Sequence, residues 1–424
     1  REAMNIKISR GALRGTVQMI SSKSDAHRLF IGAALADQPT EMVLNGSSED
    51  LEATLQCLQA LGADFLRQGD KIKVFPVEQK EELAVMDCRE SGSTLRFLLP
   101  VAAALGRNVL VEGKGRLPQR PIGILTELLR EHGCSVSSDQ LPLEMHGQLK
   151  GGTFSLPGNV SSQFITGLLF ALPLLEEDSE IVLTTEVESR GYIDMTLHTL
   201  KRFGIEVEEG KRGFSIPGGQ QYHSPGVMQA DGDWSNGAFW LTAGAMGQPV
   251  TCCGLQMDSP QGDKAILDIL KQFGAHVEVE GDRVTVSHGK LKGCVIDAAQ
   301  IPDLVPILCM AAAAAEGKTE IRNAGRLRIK ESDRLAAMAD CLKRLGVPVE
   351  EKQDGLVIHG GKLTEPQGEI RIDAYGDHRI VMSAAVGAAL LGREAVIEGA
   401  EAVAKSYPAF FAEFIRLGGG ADVL

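Results

Sequence analysis

The chain has 424 residues, 44% of them hydrophobic and 23% charged, and a formal net charge of −13. That length exceeds what a single hydrophobic core serves, so two domains are expected. The acidic balance excludes a general nucleic-acid or membrane-surface binder, which leaves local clusters of cations as the place to look for function. Apolar runs such as Val305 to Ala315 are too short to span a bilayer. Eight cysteines without CxxC spacing suggest neither a zinc site nor a disulfide framework, and a reducing, cytoplasmic home is expected.

In chain order, Arg1-Glu2-Ala3 precedes Met4, the expected natural start, and no secretory or transit pattern is seen. Asn5 to Gly11 alternates polar and apolar residues and is expected to be a strand. Ser24-Asp25-Ala26-His27-Arg28 then opens an apolar, alanine-rich helix. A second helix, beginning near Ser48, stops at Gly62 before two short alternating strands. The same order returns along the chain. Apolar helices open at Ser91-Gly92-Ser93-Thr94, Ser161-Ser162-Gln163, Asp233-Trp234-Ser235-Asn236, Ile301-Pro302-Asp303 and Gly376-Asp377-His378-Arg379. Second helices are expected to begin near Arg120, Ser189, Gln261, Glu331 and Ser406 and to stop at Gly133, Gly204, Gly274, Gly346 and Gly418. From Gly62 these glycines step by 71, 71, 70, 72 and 72 residues, which makes six repeats of one unit.

Each unit reads as strand, helix, strand, helix, strand, strand. The sixth lacks its last strand, because only six residues follow Gly418, so the N-terminal strand is expected to complete it. Residues 16–230 then form an inserted three-repeat domain, and residues 1–15 with 231–424 form the other. Helices apolar all round are buried, and their N-termini, rich in unpaired N–H groups, favour anions. Basic residues gather at the helix openings: Lys23, Arg28, Arg96, Arg120, Arg190, Arg328, Lys330, Arg334, Arg379 and Lys405. Cations set against a helix dipole imply an anion between them.

Several motifs, in order, resemble those of the 5-enolpyruvylshikimate-3-phosphate synthase family. They are Ser22 to Arg28, Ser91 to Arg96, Gln119 to Gly123, Ser161 to Phe164, Ile301 to Asp303, Arg328 to Leu335, Gly376 to Arg379 and Ala404-Lys405. The resemblance implies an α/β fold of two globular domains, each of three βαβαββ repeats around buried parallel helices, an inverse α/β barrel. It implies transfer of the enolpyruvyl group of phosphoenolpyruvate to the 5-hydroxyl of shikimate 3-phosphate, with release of phosphate. No cofactor and no metal are implied, nor a nucleic-acid or membrane partner, and a monomer is expected. By resemblance, Lys23, Gly92, Arg120, Gln163, Arg334, Arg379 and Lys405 hold phosphoenolpyruvate. Lys23, Ser24, Arg28, Ser161, Ser162, Gln163, Ser189, Asp303 and Lys330 hold shikimate 3-phosphate. Asp303, Glu331 and Lys23 are the implied catalytic residues.

The residue types suit that chemistry. Guanidinium forks bind phosphates and carboxylates bidentately, and a glycine at position 92 lets a backbone N–H approach a ligand closely. An addition followed by an elimination needs proton transfer in both directions, which two carboxyl groups and an ammonium can supply. Asp303 is expected at a helix start and Glu331 in a helix's first turn. Glu90 and Phe97 depart from the Asn and Pro that many family members carry there, which alters the wall beside Gly92. The alternative is the sister enolpyruvyl transferase acting on UDP-N-acetylglucosamine, but residues 113–121 lack the Cys typical of it. The two chain crossings between domains, near Gly15 and Ala230, are expected to act as a hinge that lets the empty protein open.

Overall fold

The computed structural model describes residues 2–159 and 162–424. Among these are twelve α-helices. They are α1 (Lys23–Ala34), α2 (Glu49–Ala60), α3 (Gly92–Ala104), α4 (Gly123–Glu131), α5 (Ser162–Ala171) and α6 (Arg190–Arg202). The second half carries α7 (Trp234–Met246), α8 (Ile266–Phe273), α9 (Val305–Ala314), α10 (Arg334–Arg344), α11 (His378–Leu390) and α12 (Phe410–Arg416). The odd-numbered helices are the alanine-rich ones, and they are buried along nearly their whole lengths. Side chains cap several of them: Ser22, Ser91, Asp233 and Asp377 accept backbone N–H bonds in the first turns of α1, α3, α7 and α11. The glycines that mark the repeat, Gly62, Gly133, Gly204, Gly274, Gly346 and Gly418, all have positive φ, which is how the chain leaves each even-numbered helix.

The strands form six four-stranded sheets of one topology, three of them built within a single repeat. In the third, Thr153–Leu156 runs parallel to Ser179–Leu183, which pairs antiparallel with Gly213–Ile216, itself antiparallel to Glu208–Gly210. The parallel step spans the buried helix, and the final hairpin follows the second one.

The chain divides into two compact units, residues 20–231 and residues 1–19 with 232–424. Three strands far from their partners in sequence close the two sets of sheets. Asn5–Ile8 lies between Ala395–Glu398 and Ala421–Val423 in the sixth sheet. Gly15–Gln18 supplies the parallel strand beside Val250–Cys253, and Val227–Gln229 does the same for Thr40–Val43. Inside residues 20–231, α3 and α5 approach closely at Gly167. A Cβ there would collide with the Arg96 carbonyl, so only glycine permits the contact.

Two of the expected starts of the second helices, Ser48 and Ser189, stand just before α2 and α6, while the other four are early by a few residues. Short 3-10 turns at Leu117–Gln119, Gly262–Ala265, Gly325–Ile329 and Ala400–Lys405 stand ahead of α4, α8, α10 and α12. Glu331 accordingly lies before α10 rather than in its first turn.

Candidate active site

Two groups of polar side chains stand out, one in each unit. Within residues 20–231, a cavity of about 480 Å³ is lined by the predicted Ser24, Arg28, Ser162, Gln163 and Ser189. His27, Ser93, Arg96, Phe97, Asn159, Glu188 and Tyr192 complete its wall. Ser161 lies outside the described residues.

The N-terminal ends of α1, α3, α5 and α6 bring these side chains together. Arg28 is fully buried, with Nε donating to Thr196 Oγ1 at 3.0 Å, Nη1 to the Ser24 carbonyl at 2.9 Å and Nη2 to the Tyr192 carbonyl at 3.2 Å. The Phe97 ring lies under its guanidinium, 5.1 Å from centroid to Cζ. Gln163 is fixed from two sides, for Arg96 Nη1 donates to its Oε1 at 2.7 Å and its Nε2 donates to Ser93 Oγ at 2.8 Å. Arg120 reaches the start of α3, and a Cβ at Gly92 would meet its Nη1 at 2.7 Å. Glycine at 92 thus leaves room for the guanidinium against the helix's first turn. Ser189 holds a left-handed conformation, φ 56°, just before α6. Lys23, the first residue of α1, is exposed.

The charges here are unbalanced. Among the described residues, Lys23, Arg28, Arg96 and Arg120 have no carboxylate within ion-pair distance. Burial lowers Arg28 to about 10, and burial with the neighbouring charge of Arg120 lowers Arg96 likewise to about 10. Both still carry their charge at neutral pH, and Arg96 Nε has no hydrogen-bond partner. A protein with a net charge of −13 therefore keeps four cations out of direct ion pairs in this region, two of which, Arg28 and Arg96, line the cavity.

In the other unit the arrangement is reversed, because one cation there serves three carboxylates. Arg334, 1% exposed, donates from Nε to Asp377 Oδ2 at 2.8 Å, from Nη1 to Asp303 Oδ1 at 2.9 Å and from Nη2 to Glu331 Oε2 at 2.7 Å. Asp377 also caps α11, accepting from the Arg379 N–H at 3.0 Å, and takes the Ser332 hydroxyl at 2.8 Å. Arg379 Nη2 stands 3.6 Å from Asp303 Oδ2, and its Nη1 is buried without a partner. Lys405 donates to Glu331 Oε1 at 3.0 Å. His378 hydrogen-bonds Ser406 through Nδ1 and holds Nε2 3.8 Å from Glu331 Oε1.

These contacts set the protonation states. Burial alone would raise Asp303, but the charges of Arg379, Arg334 and Lys330 outweigh it and hold the carboxyl below its usual range. Glu331 is likewise opposed by burial, yet the Lys405 hydrogen bond, its own backbone and Arg334 bring it down to about 2. Both are carboxylates at neutral pH and can accept protons. Asp303 does not cap a helix; it lies in the 3-10 turn Pro302–Leu304 before α9, where no side-chain cap forms. Glu331, Asp377 and His378 bring three ligand atoms within 4.8 Å of one another, but Arg334 and Lys405 already supply the positive charge there.

Sequence reasoning named Arg96 as a basic residue at a helix opening but left it out of the site, and it did not single out His27 or Tyr192. Arg96 could have been found, since it shares a motif with Gly92. His27 and Tyr192 read as ordinary helix residues, and only the packing of α1 on α6 brings them to the cavity.

The sequence profile of the EPSP synthase (3-phosphoshikimate 1-carboxyvinyltransferase) family matches residues 8–414. The chain is 41% identical to a 3-phosphoshikimate 1-carboxyvinyltransferase of Clostridium novyi, over 99% of this chain and 98% of that protein. It is 43% identical to the protein of that name from Clostridium acetobutylicum, over 98% of this chain and 97% of the other. Among solved structures, an EPSP synthase from Acinetobacter baumannii superposes with a TM-score of 0.86 at 26% identity, covering 99% of this chain and 100% of that one.

Proposed function

The chain belongs to the EPSP synthase family, and from that membership we infer that it transfers the enolpyruvyl group of phosphoenolpyruvate to the 5-hydroxyl of shikimate 3-phosphate, as a step of the shikimate pathway. The observation that carries the reading to this chain is the set of four cations, Lys23, Arg28, Arg96 and Arg120, that stand outside any direct ion pair, with Arg28 and Arg96 lining the first cavity. Two substrates that each bring a phosphate and a carboxylate supply what those cations lack.

In the proposed division of roles, Lys23, Ser24, Arg28, Ser161, Ser162, Gln163, Ser189 and Lys330 hold shikimate 3-phosphate, with Asp303 holding it near its reacting hydroxyl. Lys23, Gly92, Arg120, Gln163, Arg334, Arg379 and Lys405 hold phosphoenolpyruvate. The 5-hydroxyl oxygen bonds to C2 of the enol while the methylene carbon takes a proton. The C2–O bond to phosphate then breaks, and the methyl group returns a proton to restore the double bond. Asp303 accepts the hydroxyl proton. Glu331 and Lys405, joined by a hydrogen bond, provide an acceptor and a donor for the carbon. Lys23 offers a second ammonium. Arg334 serves chiefly by fixing Asp303 and Glu331, since three carboxylates already occupy most of its donors.

The sister reaction on UDP-N-acetylglucosamine is not favoured, and residues 113–121 contain no Cys. We further read the protein as a cytoplasmic monomer; no helix among the described residues is long and apolar enough to cross a membrane. The test is phosphate release from phosphoenolpyruvate with each acceptor. Turnover is expected with shikimate 3-phosphate and none with the UDP sugar; turnover with the UDP sugar alone overturns the reading.

A further inference from the structure

Behind the cavity of residues 20–231 runs a chain of four buried side chains. His27 Nδ1 is 2.8 Å from Thr54 Oγ1, Thr54 Oγ1 is 2.8 Å from Thr94 Oγ1, and Thr94 donates to Ser91 Oγ at 2.7 Å. Their exposures are 4%, 0%, 0% and 1% in that order. The chain ties α1, which carries His27, through α2, which carries Thr54, to α3 and its capping residue Ser91.

The direction of these bonds can be worked out. A hydroxyl has one proton to give. Thr94 directs its proton to Ser91 Oγ or, at 3.4 Å, to the Asp50 carbonyl, and in either case the bond between Thr54 and Thr94 is donated by Thr54. Thr54 then has none left for His27, and the Nδ1–H of the imidazole must be the donor. Burial, with the charges of Arg28 and Lys23 adding to it, brings His27 down to about 3, so the ring is neutral. A neutral imidazole has a single N–H, and with that on Nδ1 the other nitrogen can only accept. Nε2 has no hydrogen-bond partner among the described residues, and the residue lines the cavity.

The neighbours give that acceptor a use. Arg28 and Arg96 present only donors, which suits phosphate and carboxylate oxygens but cannot bind the hydrogen of a hydroxyl. We propose that His27 is a specificity-determining residue of this cavity, held by Thr54 as the acceptor for a hydroxyl group of the sugar-like phosphate substrate. The proposal rests on the function inferred above. The Nε2 lone pair repels anionic oxygens, so it also steers the substrate's phosphate and carboxylate toward the guanidiniums. Phe97, whose ring meets the His27 ring edge-on at 6.3 Å, limits how far the imidazole can turn. Thr54 itself touches no substrate; it is a positioning residue.

The test combines nitrogen NMR of the full chain, labelled at histidine, with kinetics. His27 is expected as the Nδ1–H tautomer in the free protein, and its Nε2 resonance is expected to shift when shikimate 3-phosphate is added to saturation. An Nε2–H tautomer, or an Nε2 resonance that saturating substrate leaves unmoved, overturns the proposal. Thr54→Val frees the ring to place a proton on Nε2, and should raise KM for shikimate 3-phosphate about tenfold, the scale of one lost hydrogen bond. Its kcat and its KM for phosphoenolpyruvate should stay within about twofold, the pattern of lost ground-state binding. Thr54→Ser should restore the wild-type value, and a Thr54→Val enzyme with unchanged KM counts against the proposal. If Thr54→Val does not fold, the spectra of the unaltered protein decide. Absence of phosphate release from the unaltered protein would instead remove the inferred reaction, while the tautomer would be read independently.

Discussion

Two arginines, both buried, are used in opposite ways. Arg28 donates to neutral oxygens only, whereas Arg334 is surrounded by Asp303, Glu331 and Asp377. The first is left with charge to spend on a ligand; the second spends its charge keeping two carboxylates ionised. If Asp303 is the acceptor of the hydroxyl proton, Asp303→Ala should lower kcat by about 10²-fold or more, the usual scale of general base catalysis. Shikimate 3-phosphate binding, followed by calorimetry, should change far less, and a variant that turns over normally at saturation would reduce Asp303 to a positioning role. A third acid answers to pH instead. Asp263 is raised to about 6, by burial first and by the charges of Asp303 and Asp233 as well, against a Ser235 hydroxyl that donates to it at 2.5 Å. A carboxyl raised in the fold binds more protons there than when unfolded, so its contribution to stability declines as pH rises from about 4 to about 6. Asp263→Asn removes that slope. Its Tm should therefore rise relative to wild type across that window and keep a constant offset above it. Glu331, lowered to about 2, contributes with the opposite sign, its stabilisation being lost only as pH falls from about 4.5 toward about 2.

At the scale of the element, helix starts are the functional unit. Asp377 shows why: one carboxylate caps α11, fixes Arg334 at the first residue of α10 and holds Ser332. Its removal leaves the Arg334 Nε–H buried beside a lost partner. Asp377→Ala should cost about 3–5 kcal/mol, the range for breaking a buried ion pair. Urea unfolding should show that loss in the transition of residues 1–19 with 232–424, with the transition of residues 20–231 unmoved. Much of this level was legible beforehand. Ser91, Asp233 and Asp377 announce their helices, because capping is a local exchange between a side chain and the next turn's N–H groups. The first helix, by contrast, was expected from Ser24 and is capped by Ser22. The 3-10 turns ahead of α4, α8, α10 and α12 were not legible. Their hydrogen bonds differ from those of a helix by one residue of spacing, and the same residues suit both. That is why Glu331 was expected inside a helix it actually precedes.

The whole molecule is two units joined by two chain crossings, after Met19 and after Asp231. The proposed ligand sets draw on both: Arg28, Arg120 and Gln163 from one, Arg334, Arg379 and Lys405 from the other. A ligand that binds one arrangement of the units better than others must shift the population toward it. Saturating shikimate 3-phosphate is therefore expected to reduce the radius of gyration in solution X-ray scattering, and phosphoenolpyruvate alone to do less. An unchanged curve would show that the units need no hinge. The sequence by itself determined the sixfold repeat, its glycine stops, the buried alanine-rich helices and the motifs that carry the family. The repeat shows as a regular step along the chain, and the others are local, fixed by residues within a turn or two of one another. Only the tertiary structure decided that Gly15–Gln18 pairs with Val250–Cys253 and Val227–Gln229 with Thr40–Val43. Strands of three or four residues have too little pattern of their own to name a partner some 200 residues away, and Asn5–Ile8 could be placed only because the sixth repeat lacked a strand. Elsewhere hydrogen bonds to whichever edge the fold leaves open choose the partner. Only the tertiary structure, likewise, separated a cation left without a counter-ion from one that three carboxylates surround. Charge balance depends on what packing brings within 4 Å, and no spacing along the chain records that.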